Sequence, residues 1–107
     1  MVTLKDVQDE IKRQAQRDYS QRSLQVLQDL FCLGLVEEAG EVAGLMKRRL
    51  RSNLSRGDQE RSSQEHFKEE LGDVLWYLTA CCEVFGTSLD EIWEYNTCKL
   101  QERYGGK

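Results

Sequence analysis

Apolar residues recur at helical spacing along most of the chain, and strand-like alternation is nowhere sustained. Leu4, Val7, Ile11 and Ala15 share one side of a first predicted helix, from about Thr3 to Arg17. Ser20 and Ser23 are start signals for a second, running to about Arg51, with Leu24, Leu27, Phe31, Leu35, Val42 and Leu45 on one stripe. Its basic end, Lys47 to Arg51, suits the negative pole of a helix dipole. A polar segment centred on Gly57 follows, and Ser62-Ser-Gln-Glu65 is a capping box that opens helix three. Phe67, Leu71, Val74, Leu78, Cys81 and Phe85 form that helix's stripe, and Gly86 is placed to end it. A second box, Ser88-Leu-Asp-Glu91, opens helix four, which runs to about Arg103 before Gly105-Gly-Lys107 frays. The pattern predicts an all-α, four-helix bundle-like module, with two long central helices and two shorter flanking ones.

Carboxylates interrupt this pattern where apolar residues belong. Glu37, Glu38 and Glu41 lie within Leu35-Val-Glu-Glu-Ala-Gly-Glu-Val-Ala43, and Glu70 and Asp73 lie within Glu69-Glu-Leu-Gly-Asp-Val-Leu-Trp-Tyr-Leu78. At about 100° per residue, Glu38 falls in the middle of the stripe of helix two, Glu41 on its edge and Glu37 further round. Glu70 borders the stripe of helix three, and Asp73 lies just beyond. If the two stripes pack together, four acids converge at one seam. Like charges at this spacing repel, and carboxylates rarely enter a core uncompensated. A hard divalent cation such as Mg²⁺, which takes oxygen ligands, is the natural compensator.

Other residues carry chemistry with a plainer alternative beside it. Asn96 falls near the middle of the apolar face formed by Leu89, Ile92, Trp93 and Leu100, where a buried amide needs partners. Lys99 and Arg103 flank that face; cations beside a carboxylate–metal site are what a polyphosphate requires. The alternative is that Asn96 bridges helices and the two cations snorkel. Gly34, Gly40, Gly44 and Gly72 each cost their helix about 1 kcal/mol relative to alanine. Either tight helix packing or close approach of a ligand beside the acids accounts for them. His66 is the only histidine, so the paired ExxH motifs of a di-iron carboxylate bundle are absent. Trp76, Tyr77, Trp93 and Tyr104 are read as core residues, with stacking on a base as the alternative.

The chain has 107 residues, which fits one domain over residues 1–107, with a modest core that a second copy of the chain would extend. A net charge of −4 argues against a broad basic face for nucleic acid. No apolar run is long enough to span a bilayer, so no membrane role is expected. Met1-Val-Thr-Leu-Lys-Asp lacks the apolar stretch of a signal peptide. Cys32, Cys81, Cys82 and Cys98 show no CxxC pairing. Three of them fall in apolar helical context, as reduced fillers in a cytoplasmic protein.

Glu37-Glu-Ala-Gly-Glu41 followed by Glu70-Leu-Gly-Asp73 resembles the EExxE…ExxD signature of MazG-like nucleoside triphosphate pyrophosphohydrolases. Asn96-x-x-Lys99-Leu100-x-x-Arg103-Tyr104 is similar to the C-terminal segment of that family, so the likeness covers about Leu24 to Tyr104. It implies the all-α NTP pyrophosphatase fold in a single-module member, and hydrolysis of NTPs or dNTPs to monophosphate and pyrophosphate in nucleotide-pool housekeeping. Mg²⁺ is the implied cofactor, with Mn²⁺ as a substitute, and a homodimer or dimer of dimers is the implied assembly. By position, Glu38, Glu41, Glu70 and Asp73 would hold the metal, and Glu37 would add a ligand or activate water. Asn96, Lys99 and Arg103 would contact the nucleotide. Two readings compete: a catalytically inactive nucleotide-binding regulator, and a helical oligomeric interaction module whose acids form a docking patch.

Overall fold

The computed structural model describes residues 1–51 and 64–105. Among them are four α-helices and no strand: α1 (Leu4–Tyr19), α2 (Leu24–Leu50), α3 (Gln64–Val84) and α4 (Leu89–Leu100). A π-helical turn, Gln101–Gly105, continues α4, so the α-helix stops three residues short of the expected Arg103. The all-α class and the two long helices agree with the apolar periodicity. The polar segment around Gly57 and the Ser62 capping box lie outside the described residues.

Local chemistry explains where the helices begin and end. Thr3 caps α1 through a full box: its hydroxyl accepts from the Asp6 amide at 3.1 Å, and Asp6 accepts from the Thr3 amide at 2.9 Å. The Ser23 hydroxyl accepts from the Val26 amide at 3.3 Å at the start of α2. α3 ends in a Schellman motif, with the Thr87 amide donating to the Cys82 carbonyl at 2.9 Å and the Gly86 amide to Glu83 at 3.4 Å. Gly86 takes φ +73°, the left-handed conformation that this motif demands. Ser88 then caps α4 by accepting from the Glu91 amide at 3.2 Å. The Glu91 carboxylate accepts from the Thr87 hydroxyl at 2.9 Å, so its partner is one residue earlier than the expected box supposes.

The chain divides into two compact units, Met1–Gln28 with Thr79–Lys107, and Asp29–Leu78. In the first, Ile11, Ala80, Cys82 and Leu89 are buried apolar residues around a buried amide, Gln8. Gln8 Nε2 donates to Glu83 Oε1 at 2.7 Å and Gln8 Oε1 accepts from the Leu89 amide at 2.9 Å. One side chain therefore ties α1 to the end of α3 and satisfies a first-turn donor of α4. Gln28 likewise donates to the Val84 carbonyl at 2.9 Å.

In the second unit, Phe31 and Leu45 are buried on the predicted stripe of α2. Phe31 meets Trp76 edge-on with centroids 5.7 Å apart, and Trp76 meets Tyr77 at 5.2 Å. Gly34 is buried against this cluster, and a Cβ there would overlap the Tyr77 ring. Tight packing is thus the reason for Gly34. Around Gly40 and Gly72 an added Cβ would meet none of the described residues within 4 Å, so packing among those residues does not account for them.

Several expectations of burial are corrected. Leu24, Leu71 and Phe85 lie on predicted stripes yet are exposed. Cys32 is exposed rather than a filler, and so is Cys98. Trp93 and Tyr104 are exposed rather than core. Periodicity marks a face that something covers; it does not say whether the cover comes from the same chain.

Candidate metal centre

All five acids singled out by the pattern belong to the unit formed by Asp29–Leu78. Glu38 is half-buried on α2, and Glu70 and Asp73 stand one turn apart on α3. One carboxylate oxygen from each of Glu38, Glu70 and Asp73 lies within 4.8 Å of the others. Glu37 and Glu41 are exposed on α2 and stand outside this triad. They still act on it through charge. Partial desolvation, then the negative charges of Asp73, Glu70, Glu37 and Glu41, hold the Glu38 carboxyl above its ordinary range.

The donor set fits a hard divalent cation. It offers carboxylate oxygens only, from two helices, with net charge that a cation neutralises. Packing of Phe31 with Trp76 and Tyr77 joins α2 to α3 within this unit. Position on the stripe locates Glu38; the short spacing locates Glu70 and Asp73.

Asn96, Lys99 and Arg103 belong to the other unit, on α4 and the π-helical turn. Asn96 and Arg103 are exposed and Lys99 is half-buried. Asn96 is therefore not the buried amide that the pattern suggests. The face it shares leaves Trp93 65% and Leu100 44% exposed, so among the described residues no apolar cover surrounds it. His66 is half-buried on the first turn of α3, and its Nδ1 is buried without a hydrogen-bond partner among the described residues. Nothing in its spacing distinguishes it from an ordinary structural histidine.

A family model, the MazG nucleotide pyrophosphohydrolase domain, matches residues 28–105. The chain belongs to the MazG nucleotide pyrophosphohydrolase family. This MazG domain is similar to the Gene 37 protein of Mycobacterium phage L5, 37% identical over 71 residues, which cover 66% of this chain and 60% of that protein. It is also similar to the uncharacterized protein YvdC of Bacillus subtilis (strain 168), 32% identical over 74 residues, 65% of this chain and 69% of YvdC. The matched part thus spans less than two thirds of the phage relative's length. Among the described residues, no helix of the MazG domain is long and apolar enough to cross a membrane.

Proposed function

We propose that this MazG domain is a single module that hydrolyses nucleoside triphosphates, NTP or dNTP, to the monophosphate and pyrophosphate. Mg²⁺ is its metal, Mn²⁺ substitutes, and the role is nucleotide-pool housekeeping. The observation that carries this reading is the Glu38–Glu70–Asp73 triad within 4.8 Å, in a chain of a pyrophosphohydrolase family. Glu38, Glu70 and Asp73 would hold the cation, with Glu41 completing the set. When bound, it supplies Lewis-acid neutralisation of the phosphate oxygens.

The chain's own residues do the rest. Glu37 is exposed and outside the triad, so its carboxylate is available to accept a proton from the attacking water. The water oxygen forms a bond to the α-phosphorus, the bond from that phosphorus to the α,β-bridging oxygen breaks, and pyrophosphate leaves with the electron pair. Asn96 and Lys99 bind the nucleotide, with Arg103 adding a second cation. Positioning and fixed charge supply most of the rate, as in phosphoryl transfer generally.

The active form is a homodimer or a dimer of dimers. Leu33 and Val36 on α2 are 70% and 71% exposed, an apolar cost that a second copy removes. The net charge of −4 and the free cysteines fit a cytoplasmic enzyme with a small-molecule substrate and no nucleic-acid partner. The test is product analysis over a panel of NTPs and dNTPs, with Mg²⁺ and with EDTA, for wild type and Glu38→Gln. Monophosphate and pyrophosphate, lost in EDTA and in the variant, are expected. A panel without turnover, or full turnover by Glu38→Gln, overturns the reading.

A further inference from the structure

Glu37, Glu41, Gly44 and Arg48 recur at steps of four, three and four residues, so they share one face of α2. Arg48 is half-buried, and its Nη1 lies 3.8 Å from the place a Cβ at Gly44 would take. The guanidinium is therefore drawn back a full turn along the helix, over a residue with no side chain, towards the acid face. Among the described residues it makes no ion pair and no side-chain hydrogen bond. The other basic residues of this helix end differ. Arg49 is committed to the Phe67 ring, its guanidinium carbon 5.2 Å from the centroid, and Lys47 and Arg51 are exposed.

A planar guanidinium suits two oxygens of one phosphate. About one turn of helix separates it from Glu41. Dipole compensation explains a positive charge at this end of α2, and any of the four basic residues supplies that. It does not explain why one guanidinium lies back over a bare backbone with its donors unused among the described residues.

We propose that Arg48 is a substrate-binding residue of the acid site, receiving the β,γ-diphosphate end of the nucleotide and then the pyrophosphate product. This inference rests on the proposed hydrolysis. The test measures KM, kcat and product inhibition by Mg²⁺–pyrophosphate and by nucleoside monophosphate, for wild type, Arg48→Gln, Arg48→Lys and Lys47→Gln. Arg48→Gln is expected to raise KM and weaken pyrophosphate inhibition by about tenfold to a hundredfold, the scale of a lost charge-assisted hydrogen bond. Monophosphate inhibition should be unchanged, Arg48→Lys should recover part of the loss, and Lys47→Gln should behave as wild type. Equal weakening by Lys47→Gln, or a fall in stability with unchanged pyrophosphate inhibition, assigns Arg48 to the helix dipole and overturns the proposal. An inactive wild type overturns the hydrolytic reading itself, which separates the two failures.

Discussion

Replacing Gly34 by alanine tests the packing that holds α2 against α3 beside the acids. An ideal Cβ at Gly34 would lie 2.7 Å from Tyr77 Cζ and nearer still to Cε1, distances that real contacts do not show. The ring has little room to withdraw, because its centroid is 5.2 Å from that of Trp76 and 6.4 Å from that of Phe31, itself 1% exposed. Overpacking of this kind costs about 1–3 kcal/mol. Displacing Tyr77 from one edge-to-face partner costs about 1 kcal/mol more. Better helix propensity returns about 1 kcal/mol, so the net loss is about 1–3 kcal/mol. Gly72 on α3 is the internal reference: a Cβ there meets none of the described residues within 4 Å, and alanine should gain about 1 kcal/mol. Denaturant unfolding of both variants in EDTA should therefore separate them by about 2–4 kcal/mol. In thermal unfolding the gap is about 10 °C or more for a chain of this size. Gly34→Ala as stable as Gly72→Ala would refute the argument from the Tyr77 contact.

Further predictions follow the same physics. Glu38 holds its proton more tightly in the folded chain than in the unfolded one, because its folded carboxyl is raised. Its contribution to stability is thus present below the unfolded pKa and lost as pH rises through the folded one. In EDTA at neutral pH, Glu38→Gln should be at least as stable as wild type, with the advantage shrinking as pH falls through the carboxylate range; a less stable variant in thermal scans at neutral pH contradicts this. Gln8→Leu leaves the Leu89 amide and Glu83 without their partner and should cost about 1–3 kcal/mol by urea unfolding; an unchanged midpoint would show that water replaces the amide. Gly86→Ala forces a side chain into φ +73° and should cost about 1–2 kcal/mol, read the same way.

The helices were legible because burial imposes a period that the residue pattern must obey. Glu38 stood out for the same reason: a carboxylate in the middle of an apolar stripe is costly unless something meets it. Glu70 and Asp73 were legible by spacing, since one turn brings them together on α3. Gln8 was not, because its partners, Thr79, Glu83 and Leu89, lie more than 70 residues away and a glutamine on a helix carries no local signal. Gly34 and Gly72 look alike in sequence, yet only Gly34 faces a ring. Asn96 looks buried in the sequence because Trp93 and Leu100 mark an apolar face, yet it is exposed because the described residues leave that face open. Arg48 is one of four clustered cations in the sequence; only the fold of its side chain over Gly44 sets it apart.

The central claim is that the acid triad serves hydrolysis at the α-phosphorus, and turnover in isotopically labelled water tests it most directly. With Mg²⁺, the account predicts one labelled oxygen in the nucleoside monophosphate and none in pyrophosphate, with the reaction abolished by EDTA and by Glu38→Gln. Label in the pyrophosphate, release of single phosphate, or turnover that survives EDTA would contradict it.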